Sequence, residues 1–323
     1  MKVLRMLLLA SLIWGGQSAW ATSLVSPHAS TGSGSHRGTG RPLIAEAATT
    51  LGQGQIRLAS TWGLSFTTAK FSPNWQRLSA GGDYTTLINF SHIGYGLTDR
   101  LTVGVDLSYI HNWASDVNEP GPHGERYADF GGVGDLSLAA KYLLWQETRV
   151  FPAVVARVAA IFPTGHADHL NPARLNTDNL GGGTYGLTFG FNFSKTLNKL
   201  VLSGNAWYST ALTSRIERPE KHYSLLQVSE HVHPRDRVSL ALAGELNITQ
   251  KWVAMLAVYN FWEVQPLFGP KANNPAGAVF GIAPGIEFFP NDRLGFMIGV
   301  ALDLAGKNAS QNIIPVFDVS YKF

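Results

Sequence analysis

Hydrophobic and polar residues alternate one by one through most of this chain, beginning abruptly near Gln55. In QIRLASTWGLSF, Ile56, Leu58, Trp62, Leu64 and Phe66 fall on one side of an extended strand, opposite Gln55, Arg57, Thr61 and Ser65. LTVGVDLSY sets Leu101, Val103, Val105, Leu107 and Tyr109 against Thr102, Asp106 and Ser108. DLSLAAKYL sets Leu136, Leu138 and Tyr142 against Asp135, Ser137 and Lys141, and TYGLTFGFNFS sets Phe189, Phe191 and Phe193 against Thr188, Asn192 and Ser194. The pattern recurs in VLSGNAWYS, RVSLALAGELNI, AVFGIAPGIEFF, LGFMIGVALDL and the final FDVSYKF. Beyond the first 21 residues no segment carries a helical period, so the chain is expected to be all-β. About twelve strands are predicted, of roughly ten residues each, the length a tilted strand needs to cross a bilayer.

The connections give an orientation. LTDR, QETR, LNK, TQK and PNDR are short, and they alternate with longer stretches around residues 70–84, 112–131, 163–182, 212–236, 264–277 and 305–312. Short turns at one rim and long loops at the other predict a transmembrane antiparallel up-and-down β-barrel, with short periplasmic turns and long extracellular loops. Both termini then lie on the periplasmic side. One face of the strands is rich in Phe, Leu and Val and the other carries Gly and charges, which suits lipid outside and a polar lumen inside. The chain ends on alternating aromatics, and Tyr321 and Phe323 are expected at the periplasmic end of the lipid face as an assembly signal. Pro284 and Pro315 each remove a ladder hydrogen bond, so bulges are expected there.

The N-terminus changes the picture of compartment and charge. Lys2 and Arg5, the apolar MLLLASLIWGG and a small-residue site ending at Ala21 predict a signal peptide over residues 1–21. The following TSLVSPHASTGSGSHRGTGRP has no apolar period, and residues 22–52 are expected to form a flexible periplasmic segment able to enter the lumen as a plug, with the barrel over residues 53–323. The chain has 25 Lys and Arg against 22 Asp and Glu; without Lys2 and Arg5 the balance is 23 to 22, which gives no electrostatic case for nucleic acid. Cysteine is absent, so disulfides and thiolate metal sites are excluded.

GLTDRL (96–101), GVGDLSLAAKYLL (132–144) and PAVVARVAAIFPTG (152–165) resemble the family known as the putative MetA-pathway of phenol degradation. That resemblance implies an outer-membrane, transporter-like protein handling small, aromatic molecules. Its motifs are a turn, a strand start and a strand end, so they report architecture more than chemistry.

Inward-facing charges are the candidate functional set. Asp106, Lys141 and Arg157 lie on three successive strands near one expected level, where they could form a paired constriction. Arg57, Asp135, Glu245, Glu287, Asp303 and Asp318 also face the expected lumen, either lining a pore or pairing to fill it. GHADH (His166, Asp168, His169) and EHVHP (Glu230, His231, His233) fall in expected loops, and neither spacing matches a helix-borne zinc motif, so no metal or other cofactor is expected. The favoured reading is a bacterial outer-membrane channel for passive uptake of small molecules, hydrophobic or aromatic compounds among them, rather than an enzyme. Its expected partners are outer-membrane lipids, the solutes and the barrel-assembly machinery. A closed structural or surface-interaction barrel is the alternative, and a lipid-modifying barrel enzyme is a third class.

Overall fold

The computed structural model describes residues 43–219, 227–232, 234–267, 269–272 and 274–323. The expected signal peptide, residues 22–42 and the side chains of Glu230, His231 and His233 lie outside what is described. The strands are β1 (Ile56–Phe71), β2 (Arg77–Leu78), β3 (Asp83–Thr98), β4 (Leu101–Ser115), β5 (Ala128–Val133), β6 (Leu136–Trp145), β7 (Ala153–Phe162), β8 (Gly186–Leu197), β9 (Leu200–Ala211), β10 (Ser214–Pro219), β11 (Gln227–Val232), β12 (Asp236–Asn247), β13 (Trp252–Val264), β14 (Ala278–Phe288), β15 (Leu294–Lys307) and β16 (Ala309–Lys322).

Twelve of these close into an antiparallel barrel in the order β1, β3, β4, β6, β7, β8, β9, β12, β13, β14, β15, β16, with β16 pairing back onto β1. β5 prolongs β6 alongside β4 beyond a break at Gly134 and Asp135, β2 pairs with the end of β1, and β10 and β11 form a separate hairpin. Closure gives each of the twelve strands a partner on both sides, as a wall in hydrocarbon requires.

Period-two alternation fixes which way each side chain points. Along β12, Leu240, Leu242 and Leu246 face outward while Ala241, Ala243 and Glu245 are buried inside. Trp62, Leu107, Phe189, Phe191, Ile298 and Phe317 extend the same apolar exterior around the barrel. An apolar band of this extent would be untenable in water and matches the lipid-facing belt of a membrane barrel.

Two sequence expectations about the wall are corrected. The stretch 305–312 is not a long loop: β15 and β16 run to either side of Asn308, whose left-handed φ of 47° makes the turn tight. The prolines sit without bulges. Pairing in the β14–β15 ladder lapses between Ile282 and Gly285, and in the β1–β16 ladder between Gly63 and Phe66, with the same register before and after each lapse; the shifts in these ladders lie further along, between Phe280 and Gly281 and between Thr67 and Ala69. Pro284 and Pro315 each lack the amide proton one rung would use, and a skipped rung costs less than re-aiming every side chain beyond it.

Candidate functional site: the barrel lumen

The lumen has two chemically different walls. On β12 to β16 the inward residues include Ala241, Ala243, Met255, Ala257, Tyr259, Phe261, Val279, Ala283, Met297, Ala301, Ile314 and Val316, which form one continuous apolar cluster. On β1 to β9 many inward positions are polar, among them Thr61, Asn89, Asp106, Lys141, Asn192 and Ser203, and a small apolar cluster of Leu143, Ala153 and Val155 interrupts them where Ala48 packs. Both arise from the same strand alternation; only the residue types at inward positions differ.

Residues 43–52 run inside this lumen. Leu43, Ile44 and Ala45 pack into the apolar cluster, and Leu51 is fully buried. The opposite wall holds the segment through polar contacts. The Glu46 amide donates to Asn205 Oδ1 at 3.0 Å, that of Ala48 to Ser194 Oγ at 2.8 Å, and that of Leu51 to Thr102 Oγ1 at 2.7 Å. Near the periplasmic rim the Gln53 amide donates to Asp99 Oδ1 at 2.9 Å. Gly96 makes the entry possible, because a Cβ there would lie 2.0 Å from the Gly52 carbonyl oxygen.

Glu46 is the centre of the polar side. Its carboxylate pairs with Lys141 Nζ and lies 3.1 Å from Arg157 Nε, with the glutamate side chain wholly buried. Lys141 and Arg157 are direct cross-strand neighbours on β6 and β7, so their spacing is set by the pleat. The Arg157 guanidinium also lies 4.8 Å from the ring of Trp207, whose Nε1 donates to Asn192 Oδ1 at 2.8 Å and so fixes the indole.

Asp106 does not join this pair. It faces Ser137, four residues along β6 from Lys141 and so about 13 Å away along the strand, and its Oδ1 lies 2.7 Å from His92 Nδ1. The constriction expected from Asp106, Lys141 and Arg157 is therefore replaced by two separate clusters, because equal distance from a turn is not equal height in a barrel of tilted, staggered strands.

Arg57, Glu245, Glu287, Asp303 and Asp318 are all buried toward the interior. Asp303 accepts from Tyr259 Oη at 2.8 Å, from the Asn312 amide at 2.9 Å and from Asn312 Nδ2 at 3.0 Å. Asp318 accepts from Thr61 Oγ1 at 2.6 Å.

Asp135 is engaged by backbone amides of a loop. Its two oxygens accept the amides of Gly165 at 3.0 Å and Gly182 at 2.7 Å, which ties the loop between β7 and β8 to the break in the β5–β6 wall strand. A Cβ on Gly181 would come within 2.5 Å of Asp135 Oδ1, so the clamp depends on glycine there. The loop buries Leu170, Thr177, Asp178, Asn179 and Leu180, and Asn112 Nδ2 donates to the Thr177 carbonyl at 2.9 Å. Burial pushes the Asp178 carboxyl above its ordinary range, despite the amide of Asn171 bonding to it.

His166 and His169 belong to the same loop. His166 Nδ1 contacts the Asp178 carbonyl, while His169 lies between Asp168 and Glu217, at 3.2 Å from each.

Sequence reasoning missed Glu46, His92, Trp207 and Tyr259. A signal for the first was present: LIAEAATTL, residues 43–51, is apolar around one acid and breaks with the Ser- and Gly-rich run before it. His92, Trp207 and Tyr259 occupy ordinary inward positions, and only their neighbours on other strands distinguish them.

A closed twelve-stranded barrel with an apolar exterior and short turns at one rim defines an outer-membrane β-barrel protein. Within that class, the chain belongs to the family described as Putative MetA-pathway of phenol degradation, which matches it over residues 63–313. No curated protein matches the chain. Among solved structures it is similar to an outer membrane channel from Pseudomonas putida F1, at 17% identity and a TM-score of 0.68, covering 85% of this chain and 98% of that one. It is also similar to the translocator domain of the autotransporter NalP from Neisseria meningitidis, at 14% identity and a TM-score of 0.47, over 84% of this chain and 90% of that one. The Ralstonia pickettii toluene transporter TbuX aligns at 11% identity and a TM-score of 0.43, over 84% of this chain and 90% of that one.

Proposed function

We propose that the protein is an outer-membrane channel for passive uptake of small molecules, hydrophobic or aromatic compounds among them, and that residues 43–52 act as its plug. One observation carries this reading. Ala241, Ala243, Ala257, Ala283 and Ala301 place small side chains on the inner surface of β12 to β15, and the width they leave is taken by a separate chain segment rather than by wall side chains. A barrel built only for structure could fill its interior from its own walls. The description of the P. putida F1 structure as an outer membrane channel and the family's description are in keeping with this reading. Inward charges such as Arg57, Lys141, Arg157, Glu245 and Glu287 would set selectivity once the segment moves.

Replacing residues 43–52 by a Gly/Ser segment of equal length tests the proposal. In planar bilayers the variant should conduct more than the natural protein, and liposomes carrying it should swell faster in an uncharged aromatic solute. Silence of both proteins in both assays would favour a closed structural barrel.

We read Tyr321 and Phe323 as the signal for the assembly machinery. Phe323 is exposed at the periplasmic rim, its amide donates to the Ile56 carbonyl at 2.9 Å, and its ring meets Tyr321 edge-on at 4.7 Å between centroids. Deleting Phe323 should lower the yield of heat-modifiable, membrane-inserted barrel in cells while secretion continues. An unchanged yield would remove the aromatic from that role.

A further inference from the structure

The contacts of residues 43–46 resemble those of a small amphipathic acid. Leu43, Ile44 and Ala45 press an apolar body against the wall of Met255, Tyr259 and Ile314, and one residue later Glu46 presents a carboxylate to the opposite wall. There Lys141 and Arg157 supply two cations to one carboxylate, with Asn205 beside them and the Trp207 indole under the guanidinium. When the segment withdraws, a paired ammonium and guanidinium face an aromatic platform across a lumen whose other side is apolar. A guanidinium next to an ammonium favours a carboxylate over a neutral group of the same size, and the low local dielectric strengthens that preference.

We infer that Lys141 and Arg157 form a binding site for small monocarboxylates with an apolar or aromatic body, which the Glu46 carboxylate occupies in the closed state and which such solutes take over by displacing it. This rests on the reading of residues 43–52 as a plug and narrows its solutes to anions. Displacement exchanges one carboxylate for another on the same cations, so the pair need not be left uncompensated, and the solute's body can take over the apolar contacts of Leu43 and Ile44. It also gives the plug a reason to yield to one class of solute, since a ligand shifts an equilibrium only by its differential affinity for the two states.

The chain contains no cysteine, so a single introduced thiol reports the position of the segment. Ala47 is fully buried in the lumen, and the thiol of Ala47→Cys should react slowly with a membrane-impermeant maleimide. Benzoate at ten times its dissociation constant should raise that rate about tenfold. Benzyl alcohol, of similar size but neutral, and sodium chloride at the same ionic strength should not. In the Ala47→Cys background, Glu46→Gln should expose the thiol without benzoate and remove most of benzoate's further effect. Arg157→Met should weaken the response to benzoate relative to its own unliganded rate.

Equal responses to benzoate and benzyl alcohol, or no response to benzoate where Glu46→Gln does expose the thiol, would overturn the inference and leave the two cations as anchors of the segment alone. The channel reading fails separately. If the Gly/Ser-segment variant is silent and impermeable while benzoate still releases the thiol, the carboxylate site stands and passage through the barrel does not. If that variant conducts and benzoate has no effect on the thiol, the channel stands and the carboxylate site does not.

Discussion

Replacing Lys141 and Arg157 together by methionine is expected to drive residues 43–52 out of the lumen. Both substitutions leave Glu46, whose side chain is wholly buried, without the two cations it now meets. Removing the partners of a buried charge costs about 3–5 kcal/mol, because the desolvation already incurred is no longer offset. A soluble core would answer such a cost by unfolding. On the plug reading proposed above, the segment bearing the charge withdraws instead, so the loss is limited to the free energy that keeps it inside.

The expected result is a barrel that remains folded in detergent while protease gains access to residues 43–52. Adding Glu46→Gln to the same variant should restore much of the protection, since a neutral amide does not need the cations and the Leu43 and Ile44 contacts survive. If the segment stays protected in the double variant, the ion cluster is not what holds it.

Leu242→Arg is expected to destabilise the folded barrel by about 2–4 kcal/mol, whereas Leu246→Arg should cost about 0–1 kcal/mol. Both side chains point outward from β12 and both are well exposed on the protein, at 65% and 49%, so a soluble protein would barely distinguish them. The difference comes from depth. Leu246 lies one residue before the end of the strand at Asn247, close to the interface where an arginine can reach headgroups, while Leu242 lies midway along it. Reversible denaturant titration in lipid bilayers measures both, and equal costs would show that this strand is not placed in the membrane as the belt implies.

The same strand shows what was legible in the sequence. Alternation in RVSLALAGELN has one solution in a closed barrel, so the facing of Leu240, Leu242 and Glu245 follows from the letters alone. Short turns such as LNK and TQK fixed hairpins in the same way, since a two- to four-residue link between strands permits little else. The stretch 305–312 was misread because its residues look like a loop by composition, whereas the neighbouring strands impose pairing, β14 on β15 as far as Lys307 and β1 on β16 from Ala309. Proline was misread for a related reason: local chemistry shows that a hydrogen bond is missing, and only the register of both flanking ladders shows whether the strand bulges or skips a rung.

By itself, then, the sequence determined the all-β class, the lipid-facing and lumen-facing side of each strand and the inward position of residues such as Arg57, Lys141 and Asp303, because period two is a local property and burial follows from it. Tertiary structure alone decided which inward charges meet. Lys141 and Arg157 meet through the β6–β7 register, Asp106 goes to His92 on β3, and Asp135 goes to the amides of a loop that folds back over the wall. It also decided that the partner of both cations is Glu46, more than ninety residues earlier in a segment outside the barrel's strand pattern. Height in a barrel depends on tilt and stagger, and occupancy of a lumen depends on the volume its walls leave, and neither quantity is carried by any stretch of residues taken singly.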